Sequence, residues 1–141
     1  MSRALLDTDI LSEVLKNRDA AVAREAEDYL AKHGEFTVSV ISVMEIAYGL
    51  HRAGRAKQLQ EFEATLRSTC NVVQFDAEAA LLAGRIEADL ERAGRTIDAA
   101  DVMIAATAIG VRLPIVTGNT AHFEAVQNAG YLVTTENWRK V

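Results

Sequence analysis

The stretch IDAADVMIAATAIGVRLPIVTGN, residues 97–119, decides the fold that we predict for this chain. From Val102 onward its first half is almost wholly apolar, as expected for a buried helix, and two acids, Asp98 and Asp101, stand at the front. The short apolar run at 113–117 is typical of a strand. A helix that leads into such a strand is one half of the unit from which parallel sheets are built.

The same alternation continues in both directions along the chain. We predict strands at 3–6, 36–40, 71–75, 113–117 and 131–135. We predict helices at 10–17, 20–33, 42–53, 57–68, 77–93, 97–108 and 121–129. Because the connections between strands are too long for hairpins, this order favours an α/β fold. It would have a parallel sheet of about five strands, helices on both faces, and a single domain spanning residues 1–141.

Composition limits the function classes. Half of the 141 residues are apolar and only one is proline, which favours a folded domain over a disordered one. The net charge of −5 argues weakly against a nucleic-acid partner, but a carboxylate metal site makes a protein acidic until its cations are counted. The single cysteine, Cys70, suits a reducing compartment. With no signal peptide at the start and no run of ~20 apolar residues, we expect a cytoplasmic protein without membrane attachment.

Four separate segments deliver polar side chains to one edge of the predicted sheet. Asp7 directly follows the first strand, and Glu45 lies in the first turn of the helix after the second. Asp101 begins the helix that runs antiparallel to the fourth strand, and Asn119 follows that strand after Thr117. Ligands of open parallel sheets bind at the carboxyl ends of the strands, so we expect these residues to form one site.

Each acid also has an ordinary structural interpretation as a helix cap. Ser42 and Glu45 match a capping box, and Asp7 or Asp9 suits the N-cap of the first helix. Asp98 and Asp101 are both favourable at the positive end of a helix. We assign Asp98 to the cap and Asp101 to the site.

Clustered carboxylates repel each other and raise each other's pKa unless a cation neutralises them. Mg²⁺ or Mn²⁺ suits oxygen ligands, whereas His33, His51 and His122 have no zinc-type spacing and are interpreted mainly as surface residues. A carboxylate-bound ion or ion pair polarises a phosphodiester, supplies hydroxide and stabilises the leaving oxygen. The pattern therefore indicates hydrolysis of a nucleic-acid backbone without a nucleophilic side chain.

Four motifs in this order resemble the PIN-domain ribonucleases, specifically the VapC-type toxins of bacterial toxin–antitoxin pairs. The motifs are LLDTDILSEVLK (5–16), SVISVMEIAYGL (39–50), DVMIAATAIG (101–110) and IVTGNTAHFEAV (115–126). The resemblance covers nearly the whole chain. It implies a PIN-like three-layer α/β/α sandwich and a Mg²⁺-dependent endoribonuclease, with Mn²⁺ as the alternative ion.

The resemblance also implies roles for individual residues. Asp7, Glu45 and Asp101 would hold the metal, Asp7 and Asp101 most directly, with support from Thr8 and Thr117. Many relatives carry a further aspartate at the position of Asn119, which here can offer only an uncharged carbonyl. This departure leaves the first metal in place and puts a second, tightly bound one in doubt.

The partners implied by the family are a structured RNA, often transfer RNA, a second copy of the chain, and a small VapB-like antitoxin. The antitoxin would lay a helix in an apolar groove and send a basic side chain into the acidic pocket, and DNA would be bound only through it. Candidate RNA-binding residues are Arg52, Arg55, Arg85, Arg92 and Arg95. Four of them lie in the repeated RAGR at 52–55 and 92–95, which is also typical of a helix stop with a left-handed glycine.

Three other interpretations remain open from the residues. A phosphatase of the haloacid dehalogenase type would use Asp7 as nucleophile and Asp9 as acid/base, although Ile10–Leu11 does not suit that family. A response-regulator receiver domain would use Asp76 as phosphoacceptor, but it lacks the expected adjacent acid pair. A catalytically silent binding module on a PIN-like scaffold is kept open by Asn119.

Overall fold

The structure is a computed structural model, and it describes residues 2–139. Its centre is one five-stranded sheet in the order β3-β2-β1-β4-β5, and all of the neighbouring strands are parallel. The strands are β1 (Leu5–Leu6), β2 (Phe36–Ser39), β3 (Cys70–Val73), β4 (Ile115–Val116) and β5 (Thr135–Glu136). Leu5 pairs with Thr37 on one side and with Ile115 on the other, so β1 is central. The predicted parallel α/β sheet is confirmed.

Seven helices connect the strands within the described residues. They are α1 (Thr8–Lys16), α2 (Ala20–His33), α3 (Val40–Arg52), α4 (Ala56–Thr69), α5 (Ala77–Arg92), α6 (Ala99–Val111) and α7 (Thr120–Asn128). Each corresponds to a predicted helix, with bounds that differ by a few residues. In this part of the chain, no helix has both the length and the apolarity needed to cross a bilayer.

The core is divided by the sheet into two apolar layers. Leu5 packs with side chains of α5, α6 and α7, whereas its neighbour Leu6 packs with those of α1 to α4 and with Trp138. Ile115 and Val116 divide in the same way. This follows from the period of a strand, in which successive side chains point to opposite faces. The three-layer α/β/α arrangement is therefore as expected.

The last strand and the start of α3 are the two places where the difference from the prediction changes the interpretation. The last strand is Thr135–Glu136 instead of 131–135. The apolar run before it forms a tight turn, in which the Val133 amide donates to the Tyr131 carbonyl, and Leu132 is 93% exposed. The capping-box interpretation of Ser42 is wrong, because α3 begins earlier, at Val40. Its N-cap is Ser39, whose hydroxyl accepts from the Ile41 amide.

The two RAGR repeats end helices, as predicted. Gly54 and Gly94 have φ of 68° and 71°, in the left-handed region that favours glycine. After each of them the arginine amide turns back to a helix carbonyl, Arg55 to Leu50 at 2.9 Å and Arg95 to Leu90 at 2.8 Å. The repetition is therefore accounted for by helix termination alone.

Candidate active site

An acidic cleft of about 340 Å³ opens at the carboxyl ends of β1 and β4. The sheet order reverses between these two strands, which is where open α/β sheets place their ligand sites. The lining residues are Asp7, Thr8, Asp9, Ser12, Glu13, Lys16, Glu45, Asp98, Asp101, Asn119, His122 and Arg139. The four segments predicted to converge on one rim therefore do so.

Asp7 is both a helix cap and a cleft residue. Its Oδ1 accepts from the Ile10 amide at 3.1 Å, which caps α1, and its Oδ2 accepts from the Thr117 hydroxyl at 2.5 Å. Only 3% of the residue is exposed. Burial raises the pKa of Asp7 to about 6, the two hydrogen bonds oppose that rise, and the charges of Asp9 and Asp101 add to it. The cleft thus holds a carboxyl group whose ionised form calls for a cation.

Glu45 is held from the opposite wall by α1. The Thr8 hydroxyl donates to Oε1 of Glu45 at 2.5 Å, and the Thr8 and Ser42 hydroxyl oxygens are 2.9 Å apart. Since α3 begins at Val40, Glu45 lies beyond its first turn and not in it as predicted. Its carboxylate therefore takes no part in capping and faces the cleft.

The two acids at the front of α6 have different structural positions. Asp98 is the N-cap, and its Oδ1 accepts from the Ala100 amide at 3.2 Å, as predicted. Asp101 lies in the first turn, where its Oδ2 is 2.5 Å from Nδ1 of His122. His122 is thus a cleft residue, with its side chain 39% exposed, and the interpretation of the histidines mainly as surface residues did not include this place in the cleft. The sequence did carry one indication of this position, because His122 lies in the first turn of α7, three residues after the predicted site residue Asn119.

Asn119 stands at the N-cap position of α7 without a capping side-chain bond. Its backbone amide donates to the Thr117 hydroxyl oxygen at 2.8 Å, and that hydroxyl in turn donates to Asp7. The side chain is exposed at the mouth of the cleft. Thr117 therefore links Asn119 to the buried acid.

Arg139 is a cleft residue with no counterpart in the sequence predictions. Its guanidinium lies 3.1 Å from Asp9, 3.5 Å from Glu13 and 3.5 Å from Asp19. Asp9 is consequently not the cap of α1, a role that Asp7 fills. Arg139 follows β5 near the end of the chain, and no periodicity or spacing connects it with α1.

The donor chemistry of the cleft fits a hard divalent cation. Carboxylate oxygens of Asp7, Glu45 and Asp101 and the amide of Asn119 offer oxygen ligands, which Mg²⁺ and Mn²⁺ prefer. Within residues 2–139, no three His, Cys, Asp or Glu side chains are arranged to hold one ion among themselves. The fit is thus to an ion that takes one or two carboxylates and keeps several waters, as Mg²⁺ commonly does.

The candidate RNA-binding arginines are dispersed. Arg52, Arg85, Arg92 and Arg95 do not line the cleft; Arg92 pairs with Asp89, and Arg85 lies 5.7 Å from the centre of the Tyr131 ring. Arg55 lines a second groove of about 940 Å³ that shares Thr8, Ser12, Lys16 and Glu45 with the cleft. Of the five arginines, only Arg55 lines either of these two surfaces, whereas Lys16, also a candidate cation, lines both.

Comparison with known proteins agrees with this architecture. The model of the PIN domain family matches residues 4–128. The "tRNA(fMet)-specific endonuclease VapC" of Shigella flexneri is 33% identical over 98% of this chain and 99% of that protein. The crystal structure of DNA-bound VapBC from Salmonella typhimurium superposes with a TM-score of 0.82 at 27% identity, covering 98% of this chain and 99% of that one. VapBC2 from Rickettsia felis, bound to a promoter DNA fragment, gives 0.81 at 25% identity, covering 97% and 99%.

These likenesses extend along nearly the whole chain and include the sheet that carries the cleft. They do not support the two alternatives in which an aspartate would be phosphorylated. These are a dehalogenase-type phosphatase, with Asp7 as nucleophile, and a receiver domain, with Asp76 as phosphoacceptor. The chain belongs to the PIN-domain family and, within it, is a VapC-type ribonuclease toxin of a toxin–antitoxin system.

Proposed function

We propose that this ribonuclease is a Mg²⁺-dependent endoribonuclease of the cytoplasm, with residues 1–141 acting as one domain. It would hydrolyse phosphodiester bonds in a structured RNA, with transfer RNA as the leading substrate class. The observation that carries the proposal is the meeting of Asp7, Glu45, Asp101 and Asn119 in one cleft. The named specificity of the Shigella flexneri relative supports the choice of transfer RNA.

Asp7 and Asp101 are the first candidates to hold the ion, with Glu45 on the facing wall. A bound Mg²⁺ supplies Lewis acidity, which activates water and stabilises charge on the phosphate. The protein itself keeps the carboxylates in place. The Thr117 hydroxyl and the Ile10 amide bond to Asp7. The Thr8 hydroxyl bonds to Glu45, and His122 contacts one oxygen of Asp101. Such partners orient ligands and prevent them from turning away.

Cleavage of a total RNA pool by the purified, antitoxin-free protein tests the activity. We expect discrete fragments with Mg²⁺, none with a chelator, and none from Asp7→Asn. If a folded protein yields no fragments with Mg²⁺ or Mn²⁺ from pools that include all transfer RNAs, the silent binding module becomes the better interpretation.

The groove beside the cleft suits the helix of a VapB-like antitoxin. It is lined by apolar side chains of α1, α3 and α4, and by four residues that also line the cleft. A basic side chain on a helix in this groove could therefore reach the acids. The VapBC names of the similar structures support the same partner, through which DNA would be contacted.

Gly49 offers a clean way to block this groove. It lines the groove on α3, and a Cβ added there meets nothing within 4 Å, so Gly49→Leu should fold and fill the space. Co-expressed antitoxin should no longer bind this variant or relieve its toxicity. Gly84→Leu on α5, where a Cβ also meets nothing, is the matched control. Normal binding to Gly49→Leu would exclude the groove.

A homodimer remains part of the proposal. Met44 and Tyr48, one turn apart on α3, are 56% and 60% exposed, which is unusual for large apolar side chains. Sedimentation of the isolated chain measures the assembly. We expect a dimer that Tyr48→Ser weakens, and a monomer at all accessible concentrations would exclude it.

A further inference from the structure

Asp9 and Gly118 approach each other closely at the mouth of the cleft. The Gly118 amide donates to Oδ2 of Asp9 at 3.2 Å, across 109 residues of sequence. A Cβ built on Gly118 would lie 2.5 Å from the same oxygen. A side chain at position 118 would therefore force this carboxylate to shift, whereas glycine lets the backbone of the β4–α7 connection come this near to α1.

The Asp9 carboxylate is also held from its other side. Its other oxygen, Oδ1, lies 3.1 Å from a guanidinium nitrogen of Arg139, and the Arg139 side chain passes 3.3 Å from the position of the same Gly118 Cβ. Arg139 is itself fixed on the far side by Glu13 and Asp19. Asp19 caps α2, and Glu13 accepts from the amides of Arg18 and Asp19, so both anchors are held by backbone. Asp9 thus joins α1, the β4–α7 connection and Arg139.

Gly118 stands between two residues that bear on the site. Thr117 donates to the buried acid Asp7, and the Asn119 amide donates to Thr117. A shift of the Gly118 backbone would move both of these bonds, because the three residues are consecutive. The contact at Asp9 is the side-chain bond that holds the Gly118 amide.

We propose that Asp9 is a positioning residue of this nuclease: held by Arg139, its carboxylate holds the Gly118 amide and fixes residues 117–119 against Asp7. This inference rests on the proposed function, since it concerns the same cleft. In this proposal Asp9 contacts neither substrate nor metal. Gly118 is the residue whose backbone Asp9 holds, and Arg139 is the residue that holds Asp9.

The test compares Asp9→Ala, Asp9→Asn, Gly118→Ala and the double variant Asp9→Ala/Gly118→Ala. Asp28→Ala, which removes an exposed aspartate from α2, is the control. In RNA cleavage we expect Asp9→Ala to lower kcat by about tenfold or more, since small misplacements of a catalytic group have such effects. KM should stay within about twofold, because no RNA contact is removed. Asp9→Asn keeps an oxygen acceptor for the Gly118 amide and should retain more activity than Asp9→Ala.

The double variant distinguishes positioning from a simple loss of charge. Gly118→Ala should impair the wild-type background, where its Cβ meets a held carboxylate, and should add little further loss to Asp9→Ala. Equal effects of Gly118→Ala in the two backgrounds would overturn the proposal, as would Asp9→Asn being no better than Asp9→Ala. So would wild-type kcat in Asp9→Ala.

Two measurements do not depend on RNA cleavage. The affinity for Mn²⁺, followed by the electron paramagnetic resonance of the free ion, and the midpoint of urea unfolding are measured for the same variants. We expect the Mn²⁺ affinities of the variants to follow the same order as their kcat values. We expect the effects of Asp9→Ala and Gly118→Ala on the unfolding midpoint to be non-additive, as in RNA cleavage. If wild type cuts no RNA, the proposed function fails and these two readouts still decide the role of Asp9: additive midpoints with unchanged Mn²⁺ affinity overturn it.

Discussion

The Thr117 hydroxyl donates to Oδ2 of Asp7 at 2.5 Å, although 110 residues of sequence separate the two. The bond joins the carboxyl ends of the neighbouring strands β1 and β4. It leaves Asp7 with one oxygen bonded to a helix amide and the other to a hydroxyl. The carboxyl group of Asp7 is thereby held in one orientation. Its negative charge remains uncompensated in a buried position, and its pKa is raised as a result.

The pH dependence of stability should expose the uncompensated charge of Asp7. Burial raises its folded-state pKa from 3.8 to about 6, so the folded state binds this proton more tightly than the unfolded state does. The contribution to stability is complete below pH 3.8 and is lost as pH rises through about 6. Two pKa units correspond to about 3 kcal/mol of unfolding free energy.

Urea unfolding between pH 4.5 and 8, in chelator, measures this effect as the difference between wild type and Asp7→Asn. The asparagine cannot ionise, so the stability of the variant relative to wild type should increase as pH rises. Replacing the chelator with Mg²⁺ should restore the stability of wild type above pH 6. A difference that stays constant with pH would show that Asp7 is not the titrating group.

Asp98 and Asp101 give a matched pair on one helix. Asp101→Asn should abolish RNA cleavage and leave the unfolding midpoint nearly unchanged, because only the charge in the cleft is lost. Asp98→Asn should change neither by much, since asparagine is also a good N-cap. Gel-based cleavage rates and urea unfolding of both variants check the assignment. If Asp98→Asn were the inactive one, the roles of the two acids would have to be exchanged.

His122 should act through Asp101. Removing the ring in His122→Ala releases Oδ2 of Asp101, and loss of such a partner lowers metal affinity or activity by about 10-fold or more. His122→Asn keeps a side-chain N–H that can donate to Asp101, and it should recover part of the lost affinity or activity. The affinity for Mn²⁺ and the cleavage rate measure both variants. His51→Ala, an exposed position at the end of α3, is the control, and equal effects at 51 and 122 would contradict the expectation.

Trp138 should contribute to stability through its ring and not through its indole N–H. The side chain is buried beside Tyr29, with ring centroids 5.8 Å apart, and its Nε1 has no hydrogen-bond partner among the described residues. Trp138→Ala should cost about 3–5 kcal/mol of unfolding free energy. Trp138→Phe removes an unsatisfied donor and should cost far less. Denaturant unfolding gives both values, and a cost of Trp138→Phe as large as that of Trp138→Ala would contradict the expectation.

The helices and the parallel sheet could be predicted from sequence because they follow local periodicity and the length of the connections. The one strand placed wrongly, at 131–135, shows the limit of that rule. Tyr131, Leu132 and Val133 are apolar as a strand would be, but only Val133 is buried, and the chain turns there before it pairs with β4. Apolar composition alone does not say which residues reach the neighbouring strand.

The sequence by itself determined which segments would meet at the rim, because strand direction and helix direction follow from chain order. It therefore named Asp7, Glu45, Asp101, Asn119 and the cap Asp98. Only the tertiary structure decided which partner each acid has. His122 meets Asp101 across 21 residues, and Arg139 meets Asp9 across 130. Side-chain contacts of that range depend on the packing of separate elements, which leaves no period or spacing in the sequence to be read.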